Sequence, residues 1–491
     1  MRFSRRILGT VLIAGLFGSL PASAQESWDA IYIASGKVGH IHTKVTPLKD
    51  KGRDLLRVQV DWEMNVNRGA DVSKITLSYG TIETTSGQVL RLDTRTNVGQ
   101  DVIRTSGDVI NGKMGLKLEA GGQRTEEDVT WGPEVRGPYA IEQSLAREPM
   151  KPGETREVKQ YTPSLNVVVR VVLSAKVTEE VDLAGKKHDL LRVDSASALP
   201  NGQPLAEMNT TYWVDTSGQV MKSFTDVYGG MVTYRTTREG ALLKGAPLDL
   251  LAASIIKIPR PIPKPETQTR ILYRMAIKGD DLTKLFPNDR RQTVKAGVDA
   301  KSVTMEVITA GPDIGEPGPE AVNASFLRAN AMINSDDPQV AALKNQALVG
   351  VSADPWAKAQ AINKWVFTNI NDKNYKTAFA SAKEVARTLK GDCTEHSVLS
   401  AAMCRAAGIP ARVVVGLLYA DSLKGFGFHM WNEVYVNRRW VAIDAAFDQT
   451  SVDATHLKLA DASLDGVSPF EPLLSVSQVF GKLTLEPIEI R

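Results

Sequence analysis

Between residues 27 and 250 the chain keeps a two-residue period, and this constrains its fold more than any other feature. "LLRVQVDWEMNV" (55–66), "KITLSYGTIETT" (74–85), "VVVRVVLSAKVTEEV" (167–181) and "TTYWVDTSGQVMKSF" (210–224) alternate apolar with polar residues and are rich in β-branched side chains. Such runs, separated by Gly and Asn turns, predict half-buried antiparallel strands. Two pentapeptides recur in the same order: "DLLRV" at 54–58 and 189–193, and "TSGQV" at 85–89 and 216–220. Repetition at so similar an offset points to two related β-layers within 25–250. His40 and His42 in "GHIHT" fall on one face of such a strand. With no third ligand cluster nearby, they read as surface histidines.

The pattern breaks at "IPRPIPKPE" (258–266), where alternating prolines predict an extended spacer, so 251–266 is expected to be a linker. A few more strands are expected over 267–320, ending in the turn-rich "GPDIGEPGPE" (311–320). From 321 to 491 the period changes. "DPQVAALKNQALVG" and "DPWAKAQAINKWVFTNIN" read as helices, each opened by an Asp N-cap and a proline in the first turn.

Residues 1–24 set the expected compartment. "MRFSRR" is basic, "ILGTVLIAGLFGSL" is apolar and too short for a spanning helix, and "ASA" supplies small residues for cleavage after Ala24. An exported protein, periplasmic or secreted, is expected, with the Sec or Tat route left open. Three of the 59 Lys and Arg lie in this leader, which leaves 56 basic against 56 acidic residues. That balance argues against nucleic acid as a partner, and no stable membrane insertion is expected.

Both cysteines fall in "GDCTEHSVLSAAMCRAAGIPARVVVG" (391–416). A helix is expected from Cys393 to about Gly408. At a helix start, unpaired N–H groups and the dipole favour a thiolate, the reactive form. Along one helix Cys393 and Cys404 stand about 16 Å apart, beyond the roughly 7 Å a disulfide spans. Cys404 then reads as a small buried hydrophobe. Cys393 and His396 have a C-x-x-H spacing, but zinc would need two further ligands. No metal or other cofactor is expected.

A nucleophile needs a base and the base an orienting group. "GFHMWNEVYVNRRWVAIDAAFD" (427–448) reads as a hairpin around Asn437-Arg438. With a two-residue turn, Val436 pairs with Arg439, and His429 and Asp444 become diagonal neighbours on one face. One more residue in the turn would put Asp444 on the opposite face. His396 and His456 are the rival histidines, His456 reading as structural.

Gly391 and Cys393, "RAAGIPARVVVG" (405–416), His429-Met430-Trp431-Asn432-Glu433 and Trp440 to Asp444 resemble the transglutaminase-like core of the papain-like cysteine enzymes. The likeness covers about 324–460. It implies an α+β fold, a papain-like transglutaminase core of helices packed on an antiparallel sheet, here preceded by a large antiparallel β-region. It also implies a Cys393–His429–Asp444 triad that cleaves or transfers amide or isopeptide acyl groups through a thioester. The substrate would be a protein or peptide, cell-wall peptide included. The family commonly reads Asp-Pro-Thr where this chain has Asp444-Ala445-Ala446. A catalytically silent periplasmic binding or assembly module that retains the fold is the alternative.

Overall fold

The computed structural model describes residues 24–491 apart from 34–35, 69–70, 99–100, 246–253, 278–281, 298–301, 373–378, 466–471, 473–474 and the single positions 121, 164, 184, 228, 315 and 477. The leader expected at 1–24 lies outside the described residues but for its last one, and so does part of the expected linker. Among the described residues no helix is long and apolar enough to cross a membrane.

Fifteen strands between Gln25 and Thr236 lie on one hydrogen-bonded path, in which the first strand, Gln25–Ile33, pairs with the last, Met231–Thr236. All pairs are antiparallel except the short Val135–Arg136 against Thr155–Thr162. Alternation is the cause. In Lys113–Ala120, Met114, Leu116, Leu118 and Ala120 are buried while Lys113, Lys117 and Glu119 face solvent. The two copies of the recurring pentapeptides occupy matching places. "DLLRV" lies in Arg53–Arg68 and in Lys186–Ala198, and each is followed by a strand whose register shifts just before a "TSGQV" turn. Both turns put glycine at positive φ, Gly87 at 86° and Gly218 at 82°, a conformation that costs glycine least. His42 stacks on Trp28 with ring centroids 4.0 Å apart and bonds Glu26 at 2.7 Å.

The C-terminal half is α+β, as the resemblance implied. Helices Pro338–Ala347, Pro355–Asn369, Ala382–Thr388 and Cys393–Ala406 pack on a sheet built of Ala411–Ala420, Gly425–Val436, Arg439–Ile443 and His456–Ala462. Asp337 and Asp354 cap the first two helices, each accepting a backbone N–H at 2.8 Å. The proline-rich stretch is docked against this unit: Ile256–Lys257 extends the sheet beside Gly425–Val436, and Ile262 is buried.

Strands Arg270–Ile277, Gln292–Ala296 and Ser302–Ile308 form a second sheet, which the C-terminal strand Leu483–Ile490 joins. Its inward residues Ile271, Tyr273, Met275, Val303, Met305 and Val307 share one apolar core with the helices. Tyr273 donates to the Ala454 carbonyl at 2.9 Å, and Arg291 donates to the Asp453 carbonyl at 2.8 Å. Gln292 bridges Lys458 through both its amide nitrogen and oxygen. This small sheet therefore braces the segment 452–458, which proves to matter below.

Candidate active site

Cys393 is the first residue of its helix, and the residues around it explain why the helix starts there. Asp392 accepts from Thr394 N at 2.9 Å and from Thr394 Oγ1 at 2.8 Å. Glu395 reaches back so that Oε2 accepts from Asp392 N at 2.8 Å, completing a capping box. Its Oε1 accepts from Ala380 N at 2.9 Å, fastening the helix start to the preceding segment. Gly391 has φ +136°, and a Cβ there would collide with the Glu395 side chain. The "GDC" string is thus a structural unit: glycine leaves room, aspartate caps, cysteine follows. Burial, then the neighbouring Asp392, raises the Glu395 carboxyl well above the usual range.

Cys393 is half-buried at the rim of the core, and neither cysteine is in a disulfide. Cys404 is fully buried, and burial pushes its thiol up to about 12. His396, the rival histidine, is turned onto its own helix, with Nδ1 2.7 Å from the Asp392 carbonyl.

The hairpin has the two-residue turn. Val436 pairs with Arg439 and Asn432 with Ile443, while Asn437 and Arg438 both take positive φ, the conformation of a tight hairpin turn. The strand stops at Ile443 because Asp444 exchanges backbone bonds with Gln449, at 2.7 and 2.9 Å. His429 Nε2 lies 2.7 Å from Asp444 Oδ2, with both residues buried. Since a carboxylate only accepts, Nε2 carries the proton and Nδ1 is left to exchange one. Asn432, on the same strand, donates to the Ser397 carbonyl at 3.0 Å and so ties the strand to the first turns of the Cys393 helix.

Sequence reasoning read His456 as structural, yet it shares the carboxylate of the candidate site. Its Nε2 lies 3.2 Å from the same Asp444 Oδ2 that His429 meets, and its Nδ1 lies 3.3 Å from Asp453 Oδ1. Asp444 Oδ1 meanwhile accepts from Ala446 N at 2.8 Å. With three donors the carboxylate cannot rotate. Gln449 closes the ring of support: it donates to Asp453 at 2.8 Å and accepts from Asp453 N at 2.9 Å. Burial opposes charge on all three titrating groups, but mutual attraction wins. The two imidazoles hold Asp444 well below the usual carboxylate range, Asp453 is held at about 2, and the two carboxylates raise His456. A ring with a carboxylate at each nitrogen is a double donor, hence an imidazolium. The spacing Asp-x-x-His at 453–456 was the available signal, but no local rule links it to Asp444.

The ligand atoms of His429, Asp444 and His456 lie within 4.8 Å of one another, close enough for a metal to bridge. With Nδ1 of His456 facing Asp453, the contacts fit hydrogen bonds to one oxygen equally directly. Asp453→Asn is expected to lower the pH at which His456 loses its proton, read from imidazole nitrogen NMR shifts. An unchanged titration would show that Asp453 does not hold that charge.

Two more motif residues meet behind the site. Arg412, from "GIPAR", contacts Glu433 Oε2 at 2.6 Å, and Lys458 contacts the same oxygen at 3.0 Å. Asp461 joins both cations at 2.8 Å, and the Arg412 guanidinium lies over Trp440, 4.1 Å from the ring centroid. Burial opposes ionisation of Glu433, but Lys458 and Arg412 hold it at about 2. Trp431 is fully buried beside His429 and His456, with ring centroids 6.0 and 5.3 Å away.

Residues 342–445 match the model of the transglutaminase-like superfamily. Over 86 residues the chain is 34% identical to Kyphoscoliosis peptidase from Mus musculus; the match takes in 15% of this chain and only 12% of that protein. Among solved structures, a candidate cysteine protease from Cytophaga hutchinsonii aligns at 14% identity and TM-score 0.29, over 46% of this chain and 87% of that one. The periplasmic domain of TgpA from Pseudomonas aeruginosa aligns at 15% identity and TM-score 0.21, over 37% of this chain and 92% of that one. By the family-model match, the chain carries a transglutaminase-like domain at residues 342–445.

Proposed function

We propose that the protein is an exported cysteine enzyme that cleaves or transfers amide or isopeptide acyl groups of protein or peptide substrates. The observation that carries this is the buried 2.7 Å contact between His429 Nε2 and Asp444 Oδ2, on a strand bonded to the helix that Cys393 opens. In this reading Cys393 Sγ attacks the carbonyl carbon while His429 Nδ1 takes the thiol proton. His429 returns that proton to the leaving nitrogen as the C–N bond breaks, leaving a thioester. Water or an amine then attacks, its proton passing to His429 and back to the Cys393 sulfur. Asp444 keeps the ring in the required tautomer and stabilises its charged form. The Cys393 backbone N–H, placed at the helix start, is a natural donor to the oxyanion.

The test is alkylation of Cys393 by iodoacetamide in the leaderless full chain, across mildly acidic to alkaline pH. Cys393 is expected to react well below about pH 8.5, where an ordinary thiol ionises, and His429→Ala is expected to remove that early reactivity. Cys404 supplies an internal comparison, since its burial should keep it unreactive. Slow labelling, indifferent to His429, would leave the silent binding module as the better account.

A further inference from the structure

The curled N-terminal sheet encloses a cavity of about 250 Å³ on the side where Pro138, Tyr139 and Glu142 cover it. Its walls come mainly from the middle of the strand path, from residues within 29–79 and 210–235, joined by Gln160 and Thr162, and Trp62, Tyr79, Tyr139 and Tyr212 supply aromatic surface. Hydroxyls and charged groups line the rest, and the charged groups are unbalanced. Arg235 is engaged by Asp29, Nε donating to Oδ1 at 2.8 Å. Among the described residues no ion pair joins Glu142 to a cation, and Arg235 acts on its carboxyl only from farther off. The Gln160 amide donates from Nε2 to the Pro138 carbonyl at 3.1 Å, yet its Oε1 is buried with no hydrogen-bond partner among the described residues. Thr162 Oγ1, in a residue 5% exposed, is likewise unpartnered there.

A buried acceptor without a donor is costly, and native proteins rarely keep one idle. Here a carboxyl and a carbonyl oxygen, both acceptors when Glu142 is ionised, line one cavity beside a hydroxyl that can also accept. The cation in the lining, Arg235, is already paired with Asp29. Aromatic faces add an attraction that is specific to cations. The geometry points to a binding site for a small organic cation, an ammonium group on a short apolar body, seated between Glu142, Gln160 and Thr162 with the rings around it. This site is separate from the Cys393 region and does not rest on the activity proposed above.

Burial raises the Glu142 carboxyl to about 7, with Asp29 adding to the rise and Arg235 opposing it. Asp29, Arg235, Tyr79, Tyr139 and Tyr212 are the titratable groups that face it, and burial keeps the three tyrosines neutral. A cation should therefore bind better above pH 7 than below it.

The test is calorimetric titration of the leaderless full chain with phenylpropylammonium, beside phenylpropanol and phenylpropionate as neutral and anionic analogues. The ammonium is expected to bind at millimolar concentration or below and to outcompete both analogues. Binding should weaken as pH falls through 7. Glu142→Gln, which keeps the side chain's shape, should weaken it by about tenfold or more, the loss expected for one charge-assisted hydrogen bond. Cys393→Ala should leave it unchanged. Equal binding of the three compounds, binding of the ammonium that Glu142→Gln does not alter, or no binding at all would overturn the assignment.

Discussion

Asp444→Asn is expected to lower kcat/KM by about 10⁴-fold, the loss typical when the carboxylate that sets a catalytic histidine's tautomer becomes an amide. Here the amide would face a special difficulty. Oδ2 receives protons from two imidazoles, His429 at 2.7 Å and His456 at 3.2 Å, while Oδ1 receives one from Ala446 N. An Asn must place NH₂ against either the two rings or the backbone N–H. Against the rings, it forces His429 to present a lone pair at Nε2 and a proton at Nδ1, the wrong form for accepting the Cys393 proton. His456→Gln separates position from charge. It keeps a donor near Oδ2 but removes the positive charge between Asp444 and Asp453, so a smaller fall in kcat with KM little changed is expected. A shifted pH profile would mark a positioning role, whereas loss of folded protein alone would mark a structural one. Measuring kcat/KM for both variants on a peptide amide, with circular dichroism as the folding control, separates these outcomes. An Asp444→Asn enzyme with undiminished turnover would sink the triad.

Glu433→Ala should be the most destabilising single change near the site, costing about 3–5 kcal/mol, the usual cost of breaking a buried ion pair. Lys458 is almost wholly buried and Arg412 is part-buried, and both contact the Glu433 carboxylate. Removing that carboxylate strands two desolvated cations. Asp461 at 2.8 Å from each, and Asp289 at 3.3 Å from Lys458, soften the loss, so the lower end of the range is expected. The pH dependence has a definite sign. A carboxyl held at about 2 in the folded protein, against about 4.3 when unfolded, contributes its stability above pH ~4.3 and loses it as pH falls toward 2. The difference between wild type and Glu433→Ala should therefore be full at neutral pH and shrink in acid. Denaturant unfolding at the two pH values is the check. A gap that stays constant with pH would mean that the methylenes of Glu433, and not its charge, matter there.

Much of this was local and therefore legible in the sequence. A two-residue period needs only neighbouring side chains to declare strands, and an Asp-Pro pair declares a helix start through its own cap. The hairpin between His429 and Asp444 is nearly as local, since a two-residue turn sets the register and the register sets the face. The Cys393 helix was legible for the same reason, although the capping box of Asp392 and Glu395 passed unnoticed beside the cysteine.

What was not legible depends on segments far apart in the chain. His456 meets Asp444 only because the strand it opens returns beside Ala411–Ala420. The segment 452–458 stays in place because Tyr273, Arg291 and Gln292 hold its backbone from more than 150 residues earlier. The strands of 270–308 likewise needed the distant Leu483–Ile490 to complete their sheet. Arg412 and Glu433 are recognisable motif letters, but that they neutralise each other around Lys458 follows from three strands side by side. The cavity of Glu142, Gln160 and Thr162 is a product of sheet curvature, which no window of sequence contains. The chain's own letters determined which segments become strands and helices, which thiol opens a helix, and which imidazole and carboxylate share a hairpin face, because those choices turn on period, caps and turn length. Tertiary structure alone decided which charges share an oxygen and which acceptors go unmet, because burial and electrostatics act through space without regard to separation along the chain.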